Sequence, residues 1–363
     1  MKPTKNQLFK RQITLQEIGE VGQQKLQNTS VLVVGCGGLG GSIAVHLASS
    51  GIGKLNLVDF DVVDISNLHR QVFYSLEDVG KPKSSVLRDF IKARSPFTKV
   101  TFTNNPITKE NVFELIQNAD IIVDATDSLP TKYVLNDACV IKNKPFIYGS
   151  LYKFDGYVSS FNIQEKDGSF SANLRDAFPK MATDIPNCSE VGTLNAIVGI
   201  IATMQVNEVL KLVTGIGIPL KNELLIYNAL ENSQLKMRLK KSISKVEIAQ
   251  IFEKESYFDV NCEVRNTDWL ITAEELKQQL SGAAQSRPFI ISVIEDSEVK
   301  YPFKIDQKTT LLKLEKEEFY PQRNKKYIFV CQKGNTSYKA IKLMDKKYPN
   351  QNFYSLIGGI TNY

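Results

Sequence analysis

Histidine and tryptophan are nearly missing from this chain: two histidines, His46 and His69, and a single tryptophan occur in 363 residues. Cysteine is sparse too, with five widely spaced residues (Cys36, Cys139, Cys188, Cys262 and Cys331) and no Cys-x-x-Cys pair. So few imidazoles and no thiol pair leave a structural zinc site without its usual ligands, and the odd count argues against a disulfide framework. No apolar run approaches the length of a membrane span, so no membrane-crossing segment is expected. Met1–Lys10 is polar and lysine-rich, without the apolar core of a signal peptide behind it, which points to a cytoplasmic protein. An excess of one charge is also lacking: a net charge of +6 gives little reason to expect a nucleic-acid partner. Part of that charge lies in Lys236–Lys245, which reads as a solvated linker, and an acidic protein partner or a nucleotide suits the balance equally well.

What is present is length for two domains and a repeated α/β rhythm. A valine-rich run, Ser30–Val34, leads into Gly35-Cys36-Gly37-Gly38-Leu39-Gly40-Gly41, a helical stretch Ser42–Ser50, and a second strand Lys54–Val58 ending at Asp59. That order opens a doubly wound parallel sheet. Further strands read at Lys99–Phe102, Ile121–Asp124 and Pro145–Tyr148, and the alternation in Gly156–Phe161 suits an antiparallel extension. Gly192–Thr214 reads as one long helix, apolar on most faces and therefore buried, ended by Gly215-Ile216-Gly217. The expected division is a Rossmann-like domain over 1–240, a linker over 241–265, and a smaller α/β domain over 266–363. In that last part Thr272 with Glu275 forms a capping box for a helix to Leu280, and Pro288–Val293 and Lys326–Val330 are strands.

Gly35, Gly37 and Gly40 fit a dinucleotide fingerprint, with Asp59 placed to accept from ribose hydroxyls. Alone, that motif favours a nicotinamide or flavin dinucleotide, and an oxidoreductase stays open on this reading. The residues beyond Asp59 favour a triphosphate instead. Arg70 in the Asp59–Gln71 stretch, Lys81 and Lys83 after Gly80, and Arg11 before the first strand supply several cations, as a departing pyrophosphate requires.

Taken together, Arg11-Gln12-Ile13, the loop Gly35–Gly40, the stretch Asp59–Gln71, Gly80-Lys81-Pro82-Lys83 and Asp124-Ala125-Thr126-Asp127 resemble the MoeB/ThiF/HesA family, bacterial relatives of ubiquitin-activating enzymes, over roughly residues 1–230. The resemblance implies ATP-dependent adenylylation of the C-terminal glycine of a ubiquitin-like sulfur carrier. This step prepares the carrier for thiocarboxylation in molybdopterin or thiamine biosynthesis. It implies that Gly38 and Asp59 hold adenosine and ribose, that Asn67, Arg70 and Lys83 meet the phosphates, and that Asp127 holds Mg²⁺. Arg11 would reach into a partner subunit of a homodimer. Asp61, Ser66, Gln71 and Ser128 belong to the same nucleotide-binding set. Where the family often has Asp-Asn and Thr-Arg, this chain has Asp127-Ser128 and Thr131-Lys132; Lys132 keeps the charge without the bidentate fork. A non-catalytic module that docks ubiquitin-like partners is the other reading to be weighed.

Cys188 lies in a loop before the long helix, where a thiol gains thiolate character. It reads either as a small filler or, by the resemblance, as a covalent link to the carrier. The family's zinc slot before Phe178-Pro179 holds Asn173 and Asp176, so no zinc is expected. Cys331-Gln332-Lys333-Gly334-Asn335-Thr336-Ser337, between a strand and a helix, together with Leu356-Ile357-Gly358-Gly359-Ile360, resembles a degenerate rhodanese domain over 266–363. That implies a persulfide on Cys331, charged by a persulfide donor, or else a module retained for docking the carrier.

Overall fold

Short runs rich in β-branched residues build the first sheet. Its strands are β1 Ser30–Val34, β2 Lys54–Val58, β3 Lys99–Thr103, β4 Ile121–Asp124, β5 Phe146–Tyr152, β6 Asp155–Phe161, β7 Glu223–Asn228 and β8 Ser233–Arg238. They lie in the order β3-β2-β1-β4-β5-β6-β7-β8. Pairs from β3 to β5 are parallel, and those from β5 to β8 are antiparallel. Alternate residues feed two cores. Val31, Val33, Leu55, Leu57 and Val123 pack on one face, Leu32, Val34, Val58, Ile122 and Phe146 on the other. A sheet buried on both faces needs such near-continuous apolar strands.

The computed structural model describes residues 3–181, 192–255, 257, 267–282, 287–294, 299–316, 319–322, 325–332, 334–349 and 351–363. The chain divides into the units Met1–Cys262 and Glu263–Tyr363. This differs from the expected boundaries, because the stretch 241–265 is not simply a linker. It carries the helix Lys245–Lys254, capped by a reciprocal box between Ser244 and Glu247. Its Ile248 and Phe252 are buried, and the Phe252 ring lies 5.0 Å from that of Phe113 in the first unit's core.

The long helix spans Asn195–Thr214, beginning three residues later than the glycine at which it was expected to start. By length and composition it matches a membrane-crossing helix, contrary to the reading that no segment does. Only two charges, Glu208 and Lys211, interrupt it, and both are paired with each other. In this fold Ile197, Val198, Ile201, Ala202, Val206 and Val209 lie in the core beside residues of the helix Gly38–Ser49. Its outer face, with Ala196, Gly199, Thr203 and Asn207, is exposed, so burial is one-sided rather than complete.

The second unit is a five-stranded, wholly parallel sheet of β9 Leu270–Ile271, β10 Phe289–Ser292, β11 Gln307–Lys308, β12 Lys326–Val330 and β13 Asn352–Leu356, in the order β11-β10-β12-β13-β9. Thr272 caps the helix Ala273–Leu280 through the expected box with Glu275. The helix Asn335–Lys347 follows β12 and begins after Gly334, whose φ of 81° lies in the left-handed region.

Candidate active site

Because β2 and β3 lie to one side of β1 while β4 lies to the other, the carboxyl ends of β1 and β4 border a topological switch point. Ligands of open α/β sheets bind in that crevice. The glycine loop closes over it tightly. A Cβ on Gly40 would lie 1.7 Å from the Gly35 carbonyl oxygen, so no side chain fits there. Gly35 has a φ of +91°, and a Cβ on it would meet Ala125 O at 2.6 Å. The loop is thereby held against the end of β4, and the helix Gly38–Ser49 directs its free N-terminal N–H groups outward.

Asp59 fixes the loop from below. Its carboxylate accepts from Cys36 N at 2.5 Å and from Asp61 N at 2.7 Å. The Tyr74 hydroxyl donates to Cys36 O at 2.6 Å, a support that no sequence signal marked. Lys83, only 5% exposed, donates to Asp61 at 3.0 Å. Burial pushes the Asp59 carboxyl up to about 6, although Lys83 and the two backbone N–H donors oppose that rise.

Asp59 has a pH consequence. Its folded pKa lies above the unfolded value, so the folded state binds the extra proton. The stability it contributes is present below about pH 4 and is lost as pH rises through 6. Relative to the wild type, Asp59→Asn should therefore gain about 2 kcal/mol on going from pH 4.5 to 7.5. Urea unfolding of both proteins at the two pH values measures this. A gap that does not change with pH would mean Asp59 titrates normally.

The loop after Asp59 is a chain of local turns. Asp64 accepts from Ser66 N at 2.8 Å and from Ser66 Oγ at 2.6 Å, which holds the Asp64 carboxyl below its usual range. Arg70 Nη1 donates to Ser66 O at 3.0 Å, and Asn67 Nδ2 donates to Ser66 Oγ at 3.4 Å. Gln71 is buried, and its Nε2 lies 3.4 Å from where a Cβ on Gly37 would stand. Its Oε1 has no hydrogen-bond partner among the described residues. A buried amide oxygen left unpaired beside a glycine loop fits an outside donor, such as a nucleotide N–H or O–H.

Asp127 is exposed at the end of the turn after β4. Among the described residues there is no group of three or more His, Cys, Asp or Glu that could hold a metal ion. A single carboxylate fits Mg²⁺, which keeps its waters and takes most of its remaining ligands from phosphates.

The structure thus brings Gly35, Gly37, Gly38, Gly40, Asp59, Asp61, Gln71 and Lys83 together, with Ser66, Asn67 and Arg70 on the adjoining loop. One assignment changes. Ser128 uses its hydroxyl to cap the helix Leu129–Lys142, accepting from Thr131 N at 3.1 Å, so its side chain is committed to the fold. Lys132, which stands where the family often has arginine, is 2% exposed and paired with Asp124 at 2.8 Å. Arg11 is exposed on the helix Lys5–Ile13, whose Gln12 donates to Ser50 O at 2.9 Å. That is the far end of the helix Gly38–Ser49, roughly 18 Å from the loop at 1.5 Å per residue. Arg11 is therefore not placed at its own chain's site. Cys188 lies outside the described residues.

In the second unit Cys331 follows β12 and is buried, its Sγ 3.3 Å from Ser337 Oγ, which lies 2.8 Å from Ser355 Oγ. Ile360 N donates to Cys331 O at 2.9 Å, and Gly359, at a φ of +65°, leaves no room for a Cβ against that same oxygen. The two loops singled out in the sequence thus meet at the carboxyl edge of this sheet.

Comparison with known proteins agrees with this arrangement. The model of the ThiF family matches residues 9–247. A sulfur carrier protein adenylyltransferase of Thermus thermophilus is 38% identical over 246 residues, covering 67% of this chain and 91% of its own length. An adenylyltransferase and sulfurtransferase, MOCS3, of Caenorhabditis briggsae is 31% identical over 376 aligned positions, covering 97% of this chain and 92% of its own. Escherichia coli MccB, solved with ATP, superposes with a TM-score of 0.56 at 23% identity over 66% of this chain and 73% of that one, a likeness of fold alone. The chain belongs to the ThiF family.

Proposed function

We propose that this protein is an ATP-dependent adenylyltransferase that activates the C-terminal glycine carboxylate of a ubiquitin-like sulfur-carrier protein. The observation that carries the proposal is the juxtaposition at the switch point. An open helix N-terminus, the buried Asp59 and Lys83, and the exposed Asp61 that pairs with Lys83 stand on one side, with Asp127 exposed after the end of the adjacent strand. Asp59 accepts from the ribose, and Gln71 offers its unpaired oxygen to the nucleotide. The phosphates lie against the helix N-terminus, where backbone dipoles and N–H groups favour anions. Mg²⁺, held by the phosphates and Asp127, supplies neutralising charge when bound.

The carrier carboxylate is ionised at neutral pH and needs no general base. It attacks the α-phosphorus; the bond to the bridging oxygen breaks, and pyrophosphate leaves. Arg70 and Asn67 balance the negative charge that builds during that step. Arg11, too far from its own loop, serves the site of a second copy in a homodimer. The second unit is a rhodanese-like domain in which Cys331 carries sulfur from a persulfide donor. The strand–cysteine–helix order and the contact between the Cys331 and Gly359 loops support that reading.

Exchange of labelled pyrophosphate into ATP tests the reaction. It should require Mg²⁺ and a carrier ending in glycine, and fail with the carrier lacking that glycine. Exchange that ignores the carrier, or tight binding of a nicotinamide dinucleotide in its place, would overturn the assignment.

A further inference from the structure

We infer that Lys132 is a positioning residue for this reaction: through a buried ion pair with Asp124 it fixes the turn that presents Asp127 to the metal-bound nucleotide. The inference rests on the adenylyltransferase reading and deepens it.

β4 ends at Asp124, whose side chain is fully buried. One carboxylate oxygen accepts from Thr126 N at 3.1 Å and Thr126 Oγ1 at 2.8 Å. The other accepts from Lys132 Nζ at 2.8 Å, and the same ammonium donates to Gly149 O on β5 at 2.7 Å. The main-chain oxygen of Asp124 accepts from Gln205 Nε2 at 2.7 Å. The strand end is therefore gripped from the helix Leu129–Lys142, from β5 and from the helix Asn195–Thr214. One residue past Thr126 comes Asp127, and directly after it Ser128 is held as a helix cap. Asp127 itself makes no hydrogen bond or ion pair among the described residues. Its direction is set by its two anchored neighbours.

A buried ion pair is weak evidence for stability, since apolar pairs of similar volume often do as well. What an apolar pair cannot do is hold a carboxylate in a fixed orientation so that its second oxygen grips the next turn. Positions near a reacting centre tolerate little error: a displacement of about 1 Å costs on the order of a hundredfold in rate.

Three variants separate position from stability. Lys132→Met removes the cation and leaves Asp124 uncompensated. Asp124→Asn with Lys132→Met removes the buried charge altogether, so the chain folds without the clamp. Lys132→Arg keeps the cation. Binding of a non-hydrolysable ATP analogue is measured by calorimetry with and without Mg²⁺, and exchange is followed in parallel. Without Mg²⁺ the folded variants should bind within about twofold of wild type. With Mg²⁺ the wild type should gain affinity, whereas Lys132→Met and the double variant should lose about tenfold of that gain and about a hundredfold in kcat. Lys132→Arg should keep the gain within about threefold. If the double variant unfolds at the wild-type temperature and recovers the full Mg²⁺ gain, the pair is merely structural and the inference falls. The same holds if folded Lys132→Met shows an unchanged gain. A wild-type chain with neither gain nor exchange would instead remove the adenylyltransferase reading, and the inference with it.

Discussion

Arg70→Ala is expected to lower carrier-dependent pyrophosphate exchange by about two to three orders of magnitude, the scale of losing one donor aimed at developing charge. The structure sharpens the reason. Lys83 is drawn to Asp61 at 3.0 Å, Lys132 to Asp124 at 2.8 Å, and Arg11 sits at the far end of the helix that follows the glycine loop. Arg70, by contrast, pairs with no carboxylate among the described residues. Its one bond, from Nη1 to Ser66 O, leaves the rest of the guanidinium fork to meet phosphate. Charge on the leaving pyrophosphate grows in the transition state, so kcat should fall more than the KM for ATP rises. Arg70→Lys, which keeps the charge without the fork, should fall between the two. Steady-state exchange rates across ATP concentrations report the split. A loss below about fivefold, or one confined to KM, would show that the phosphates are held elsewhere.

The parallel half of the first sheet was legible because both its faces are covered, which forces unbroken apolar strands with turns between them. The glycine loop and Asp59 were legible for a related reason: at Gly35 and Gly40 no other residue fits, and a carboxylate at the end of β2 has few other uses. β8 is not legible as a strand, because all of Ser233–Arg238 is exposed and its lysine and arginine look like linker. Its neighbour, the helix Lys245–Lys254, is masked by the same charged stretch, although Ser244 and Glu247 spell a capping box. Lys132 shows a deeper limit. Its charge is plain in the sequence, but one helical turn from Ser128 it points inward, and only the three-dimensional position of Asp124 and Gly149 decides its partner. Tyr74 and Gln205 carry no signal, since they act through bonds to backbone oxygens elsewhere in the chain, Tyr74 to those of Cys36 and Lys83 and Gln205 to that of Asp124.

Cys331→Ala should leave pyrophosphate exchange within about twofold of normal and stop sulfur delivery from a persulfide donor. Adenylation needs the carrier's own carboxylate and the cations of the first unit; no thiol takes part. Thiocarboxylate formation differs, because a nucleophilic sulfur must displace AMP from the acyl-adenylate. Cys331 stands at the carboxyl end of the middle strand of the second sheet, next to the start of the helix Asn335–Lys347. A persulfide anion carried there would lie near the N-terminus of that helix, where the backbone dipoles favour negative charge. The hydroxyl of Ser337, 3.3 Å from the sulfur, can turn to donate to that anion while Ser355 supports it from behind. Ser337→Ala should therefore slow sulfur transfer by about tenfold, the effect of one hydrogen bond to a charged group, without touching exchange. Mass spectrometry of the carrier distinguishes free acid from thiocarboxylate, and of the enzyme, persulfide from thiol. If Cys331→Ala still yields thiocarboxylate at the normal rate from the same donor, the second unit holds the carrier rather than the sulfur. The thiol would then be a small apolar filler at a strand end, and sulfur would reach the adenylate by a route that bypasses this domain.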